Sequence, residues 1–294
     1  MTESFLPAST PMDPDRWRQG LPGDPQVGDL WVVSWDGTDL GLVLIAAVRP
    51  DHVLIWPVTD PSITPSAPCF RIAADWLTAE LFAWPEAEAG MSKAVLDRRL
   101  GPVLSDRTML AIRIGMADGE LPGSVSFAEQ RDDELADITL DDVCRAANAL
   151  CDIEWTTPAP GASPVDVTWA KDHNLTLVLG EFVKGPPAVI RDIMAGMRVL
   201  PADVIDAVIA RFDVSWTEFL APIAGDEAVA LNAPVRKHVI LDISSRLNVS
   251  EAEARRAVWQ KSLRAARQQS GTTAERAASR VDQALDDLLA ESER

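Results

Sequence analysis

The sequence predicts an α+β protein in which a small antiparallel β-barrel precedes an all-α region. Three observations carry this. Between residues 28 and 59, β-branched and aromatic runs alternate with tight-turn signals. Residues 156–164 read Thr-Thr-Pro-Ala-Pro-Gly-Ala-Ser-Pro, a break that continues neither helix nor sheet. Beyond it, apolar residues recur at helical spacing, and serine or threonine followed three residues later by glutamate marks helix starts.

Taken in order, residues 1–25 are rich in Pro, Asp and Gly and are expected as a disordered arm. The barrel domain is expected over 26–120. Gly28-Asp29 gives a polar turn before Leu30-Trp31-Val32-Val33-Ser34-Trp35, and Asp36-Gly37 is a hairpin signal before the apolar run Leu42 to Val48. Arg49-Pro50-Asp51 reverses the chain again into Val53 to Thr59, where Pro57 places the strand end at an edge or rim. Thr78 to Ala89 is a helical or loop insertion. Ser105-Asp106 then starts a helix running towards Met116.

The order of Gly-Asp, strand, short loop, apolar strand and a strand ending in Pro57-Val58-Thr59 resembles the MazF/PemK-type endoribonuclease toxins, and the likeness spans about Gly28 to Met116. The resemblance implies an SH3-like barrel, with Phe70-Arg71-Ile72 as the family's next strand and Val95 to Ser105 as its final strand, turn and helix cap. It also implies RNA cleavage by an arginine before the second strand and a threonine at the end of the third, the cation stabilising charge that develops on the phosphate. Thr59 matches the threonine. Leu40-Gly41 stands where the arginine and its following proline belong, and no Lys or Arg occurs between Arg18 and Arg49. The expectation is therefore a degenerate, non-catalytic barrel with Thr59 as a remnant. The rival is an endoribonuclease that has recruited Arg71, Arg98 or Arg99. A third reading is a protein-binding module whose barrel groove holds a peptide, as toxins of this kind hold their antitoxins.

The charge distribution points the same way. The chain carries a formal net charge of −18. Residues 1–160 hold 11 Lys+Arg against 26 Asp+Glu, whereas 161–294 hold 16 against 19. A barrel so acidic is ill suited to a polyanion, because non-specific nucleic-acid binding draws on counterion release by cations. The three cysteines are too few and too irregularly spaced for a disulfide framework or a zinc site, so no metal or cofactor is expected. No apolar run approaches membrane-spanning length, and the start Met1-Thr2-Glu3-Ser4 lacks a cationic leader; a cytoplasmic protein with no membrane partner is expected.

Residues 121–155 are expected as a connecting helix, Asp141 to Leu150 being capped by Thr139 or a neighbour, and 156–165 as a hinge. Within 166–225, Val204, Ile205, Val208, Ile209 and Phe212 share one helical face, and Ser215 with Glu218 forms a capping box. This stretch is similar to the last helices of lambda-repressor-like domains. The recognition helix would open Pro186-Pro187-Ala188-Val189, where polar residues normally meet DNA, so a structural four- or five-helix bundle is the expectation.

Residues 226–294 contain a helix-turn-helix-like unit. Ser244 supplies a small residue at the helix crossing, Asn248 tolerates the turn, Leu247 and Val249 would fill the interhelical core, and Ser250 with Glu253 caps the second helix. That helix carries Arg255, Arg256, Lys261, Arg264 and Arg267, the expected contacts to duplex DNA, although Glu251 and Glu253 in its first turn repel phosphate. Thr272 with Glu275 caps the tail. Ala274, Ala278, Val281, Leu285 and Leu288 form a short seam expected to dock on its own bundle, a second protomer being the alternative. Asp172-His173 is expected to cap a helix rather than to act in acid-base chemistry.

Overall fold

Residues 10–25 fold onto a β-sheet instead of forming the expected loose arm. The computed structural model describes residues 7, 10–120, 122–131, 134–266 and 274–292. Asp13 accepts from the backbone N–H groups of Asp15 and Arg16, and Pro14 presets the first helical φ, which together start α1 (Pro14–Gln19). Met12 is buried with the sheet residues and Trp17 packs against them, while Leu21 bridges to Arg99. Composition alone missed these anchors.

The three β-branched runs become β1 (Asp29–Trp35), β2 (Thr38–Val48) and β3 (His52–Thr59). Asp36 and Gly37 both adopt positive φ, 49° and 73°, as a two-residue hairpin matched to strand twist requires. Four shorter strands follow: β4 (Phe70–Ile72), β5 (Leu81–Ala83), β6 (Ala89–Ser92) and β7 (Leu96–Pro102). All ladders are antiparallel, in the order β4-β5-β3-β2-β1-β7, with β6 also on β3. The outer edge of β3 is shared: His52 to Ile55 pair with β6, and Val58 and Thr59 pair with β5. The stretch 78–89 expected as a helical or loop insertion therefore supplies β5 and the start of β6, joined by a 3-10 turn at Pro85–Ala87. The result is a curled antiparallel sheet.

Alternation explains why both sheet faces are buried. Leu30, Val32, Leu42, Leu44, Trp56 and Val58 point to one side, where α2 (Asp106–Asp118) adds Met109 and Ile112. Trp31, Val33, Val43, Ile45 and Ile55 point to the other, where α3 (Glu134–Cys151) adds Leu150. Each such aliphatic side chain contributes roughly 1.5–3 kcal/mol of burial. Ser105 caps α2 by accepting from Thr108 N–H, and Gly119 ends it in the left-handed region at φ 74°. Helix α3 differs from the expected connector: it starts before Thr139, whose hydroxyl donates to Leu135 O within the helix, and Leu150 makes it part of the sheet's core.

Gly28 and Asp29 lock β1 to β7. Gly28 has φ 83°, and a Cβ there would lie 2.1 Å from Leu104 O. Asp29 is buried, not a surface turn residue, and accepts from Arg99 Nε at 2.8 Å and Nη2 at 2.9 Å.

Chain contacts divide the molecule into two units, Met1–Ile153 with Asn232–His238, and Glu154–Leu231 with Val239–Arg294. In the first unit, Lys237 is 1% exposed; its Nζ donates to Ser34 O at 2.6 Å and Ala94 O at 2.9 Å, and lies 5.3 Å from the Trp35 ring centroid. The second unit is helical. It contains α4 (Val167–Asp172), α5 (Leu175–Phe182), α6 (Pro187–Met194), α7 (Ala202–Phe212), α8 (Trp216–Phe219) and α9 (Asp226–Leu231). Helix α10 (Lys237–Leu247) precedes α11 (Glu251–Ala266) and α12 (Ala274–Ser292).

Helices α4 to α8 share one apolar core, built on Val178, Leu179, Ile193, Val204, Val208 and Phe219. The proline-rich stretch is tied into this unit: Pro164 bridges to Val199, Val165 bridges to Leu220, and Ser163 is fully buried. It is thus a folded part of the second unit, because Pro164 lacks only a donor and its carbonyl accepts from Ala221 N–H. Helix α12 packs on α9 and α11 through Ala277, Val281, Ala284 and Leu285. The expected seam is shifted, with Ala274 exposed; the cap residue Thr272 lies outside the described residues. No described helix is long and apolar enough to cross a membrane.

Candidate functional site

Two places carried expectations of chemistry: the end of β3, and α11. At the first, Thr59 is 1% exposed, and its Oγ1 accepts a hydrogen bond from Trp84 Nε1 at 2.9 Å. Pairing with β5 accounts for this burial: Thr59 stands opposite Phe82, and the Trp84 backbone N–H donates to Pro57 O, which brings the indole to the Thr59 hydroxyl. Leu40 packs against the apolar layer of Trp31, Val43 and Ile55 rather than lining a polar groove.

The three arginines that could replace the missing cation are each held by carboxylates. Arg71 pairs with Glu80 at 3.2 Å, both at the surface. Arg98 is ion-paired with Asp39 and Asp97, and it donates to Trp17 O at 3.1 Å. Arg99 is clamped on Asp29; this hydrogen bonding raises its already high pKa. None of the three is brought to Thr59 by any of these contacts.

Behind Trp84, the first unit has a cavity of about 350 Å³ whose wall includes Ser66, Cys69, Trp84, Glu86, Arg131 and Leu140. A nucleophilic role for Cys69 is disfavoured, because burial pushes its thiol far above the ordinary range. Burial also raises the thiol pKa of Cys144, and pushes that of Cys151 to about 11. Among the described residues, no group of three or more His, Cys, Asp or Glu is placed to hold a metal ion. His173 caps the end of α4 and stacks on Trp169 with ring centroids 4.1 Å apart.

Helix α11 departs from the DNA-contact expectation. The turn before it forms as the sequence implies: Asn248 has φ 52°, Ser244 Oγ donates to Val249 O, and Ser250 exchanges hydrogen bonds with Glu253. Those bonds to Ser250 hold the Glu253 carboxyl below its usual pKa. The arginines, however, turn inward. Arg255 is 0% exposed, its Nη2 2.6 Å from Glu251 Oε1 and its Nη1 on Leu231 O at the C-terminus of α9. Burial draws its guanidinium pKa down, opposed by Glu251. Such a group cannot reach phosphate, and Glu251 is its partner rather than a surface repellent.

Arg256 is half-buried and donates to Trp155 O at 3.0 Å, and Lys261 pairs with Glu291 at 2.6 Å. Arg264 lies in α11, and Arg267 is outside the described residues. Leu247, expected in the interhelical core, is 40% exposed. A second buried pair, Arg280 with Glu227, joins α12 to α9. The sequence signal for both pairings was an arginine at a position that helical periodicity assigns to an apolar face, and the partner glutamate of Arg280 lies 53 positions away. For Arg255 that partner stands four residues earlier. No protein-family model, curated protein or solved structure matches the chain.

Proposed function

We propose that this protein is a non-catalytic regulatory or binding protein whose first unit is a degenerate MazF/PemK-like barrel acting as a scaffold for a protein partner. The observation that carries this reading is the commitment of Thr59 to Trp84 together with the pairing of Arg71, Arg98 and Arg99 to carboxylates. RNA cleavage by transfer to the 2′-hydroxyl needs a cation preorganised at the developing charge, and loss of one such group reduces rate by about two to three decades. A protein partner is favoured over duplex DNA for two reasons. Arg255, Arg256 and Lys261 make their hydrogen bonds and ion pairs within the chain. On α2, Leu110 and Ile114 lie one turn apart and are 59% and 52% exposed, an apolar pair suited to a protein surface.

The test is cleavage of single-stranded RNA by the purified full chain. Wild type and Thr59→Ala should both match background. Specific cleavage that disappears in Thr59→Ala, with thermal stability retained, would overturn the scaffold reading in favour of an endoribonuclease with a displaced cation.

A further inference from the structure

Helix α2 has a second face besides the one it packs on the sheet. Met109 and Ile112 are buried, whereas Arg107, Leu110, Ile114 and Asp118 are exposed. At 3.6 residues per turn these four form one stripe about 16 Å long, Arg107 at its N-terminal end, Asp118 at its C-terminal end and the two apolar side chains between. Ala111 borders the stripe and is small enough to let another helix approach.

Both end charges oppose the dipole of their own helix. A cation is favoured near a helix C-terminus and an anion near the N-terminus. Arg107 stands in the first turn and Asp118 in the last, the reverse of both preferences. Neither side chain makes an ion pair or hydrogen bond among the described residues, whereas Arg113 on the same helix is paired with Glu88. Read along the helix, the stripe is positive, apolar, apolar, negative, and it is complementary to itself when reversed.

We propose that α2 pairs antiparallel with α2 of a second copy of this chain, about a two-fold axis midway between Leu110 and Ile114. Each Arg107 then meets Asp118 of the partner subunit, and Leu110 packs on Ile114 of the partner subunit. Each misplaced charge also reaches the helix end whose dipole suits it. Self-pairing is favoured over a different protein because the stripe itself supplies both halves of the charge match. Helix α12, the other candidate for self-association, buries Ala277, Val281, Ala284 and Leu285 within its own chain. The pairing rests on reading the first unit as a protein-binding scaffold and names the partner at α2. A chain that stayed monomeric would still be inactive on RNA, so the two readings fail separately.

The test is sedimentation velocity on the full chain at about 0.15 M salt, where repulsion between two copies of charge −18 is screened beyond roughly 8 Å. Wild type should pass from monomer to dimer over roughly 10–500 μM, as an interface at the small end of the size range implies. Arg107→Asp or Asp118→Arg sets like charges opposite one another at both ends of the pair and should weaken dimerisation at least about tenfold. Each change also gives α2 the sign its own dipole prefers at that end, so neither should lower the melting temperature. An equimolar mixture of the two variants restores attraction at both ends and should dimerise about as tightly as wild type. Ile114→Glu should keep the chain monomeric. Wild type that stays monomeric throughout this range would overturn the proposal. Dimers that survive both single reversals would overturn it too, as would two folded reversed variants that fail to associate when mixed.

Discussion

Replacing Arg255 by alanine separates a structural role from a DNA-contacting one. In the structure Arg255 is fully buried, its guanidinium shared between Glu251 and the Leu231 carbonyl that ends α9. Truncation deprives the Glu251 carboxylate, itself 0% exposed, of its guanidinium, and it releases the tie to α9. Breaking a buried pair from one side costs about 3–5 kcal/mol. A loss of that size should lower the melting temperature of the unit on the order of 10 °C. An exposed arginine poised for phosphate would change stability by no more than about 0.5 kcal/mol. The assay is thermal unfolding followed by circular dichroism, for Arg255→Ala, Glu251→Leu and the combination Arg255→Met with Glu251→Leu. The double variant replaces both charges with apolar side chains and should regain most of the loss, since the pair exchanged for hydrophobic groups is often close to neutral. An Arg255→Ala protein as stable as wild type would refute the buried-pair account and return Arg255 to the candidates for surface recognition.

Further predictions follow from the sheet and the cysteines. Gly28→Ala should destabilise the first unit by at least about 3 kcal/mol by chemical denaturation, because the new Cβ meets Leu104 O at 2.1 Å from a backbone with φ 83°. Lys237→Met should cost about 1–3 kcal/mol in the same assay, since the Ser34 and Ala94 carbonyls lose the donor that reaches both. Cys151 should alkylate slowly at pH 8 in the native protein, its rate rising with pH until about 11, because burial holds the thiol protonated to about that value. The sign for stability follows. The folded pKa is raised, so the contribution is complete below the unfolded value near 9.0 and is lost as pH climbs through 11, which a pH series of melts would show.

Local chemistry in the sequence foretold local structure well. Asp36-Gly37 specifies its hairpin because few other residue pairs accept positive φ twice, and Asn248 with Ser250 and Glu253 specifies the joint between α10 and α11 for the same kind of reason. The coarse layout of a strand-rich N-terminal region followed by helices was legible from periodicity. The short strands were not. Leu81 to Ala83 and Ala89 to Ser92 have little propensity of their own and become strands only by pairing along β3. Arg255 was expected at a DNA-facing surface because a sequence shows solvation preference, not the distant carbonyl that compensates burial. Thr59 was identified correctly as a strand end, but its partner Trp84 lies twenty-five positions away, beyond any local pattern.

Lys237 has a consequence for how the protein is made. The sheet it helps to hold consists of segments ending at Ile153, yet the lysine belongs to the short return segment Asn232–His238, which follows residues 154–231. On a ribosome adding about 5–20 residues per second, the nascent sheet waits on the order of ten seconds for that side chain. During this interval the Ser34 and Ala94 carbonyls lack their ammonium donor, and the helices made in between have time to begin folding. Completion of the first unit is therefore timed by synthesis of residues 154–231, and a chain interrupted after Ile153 would carry β1 to β7 while missing their final fastening.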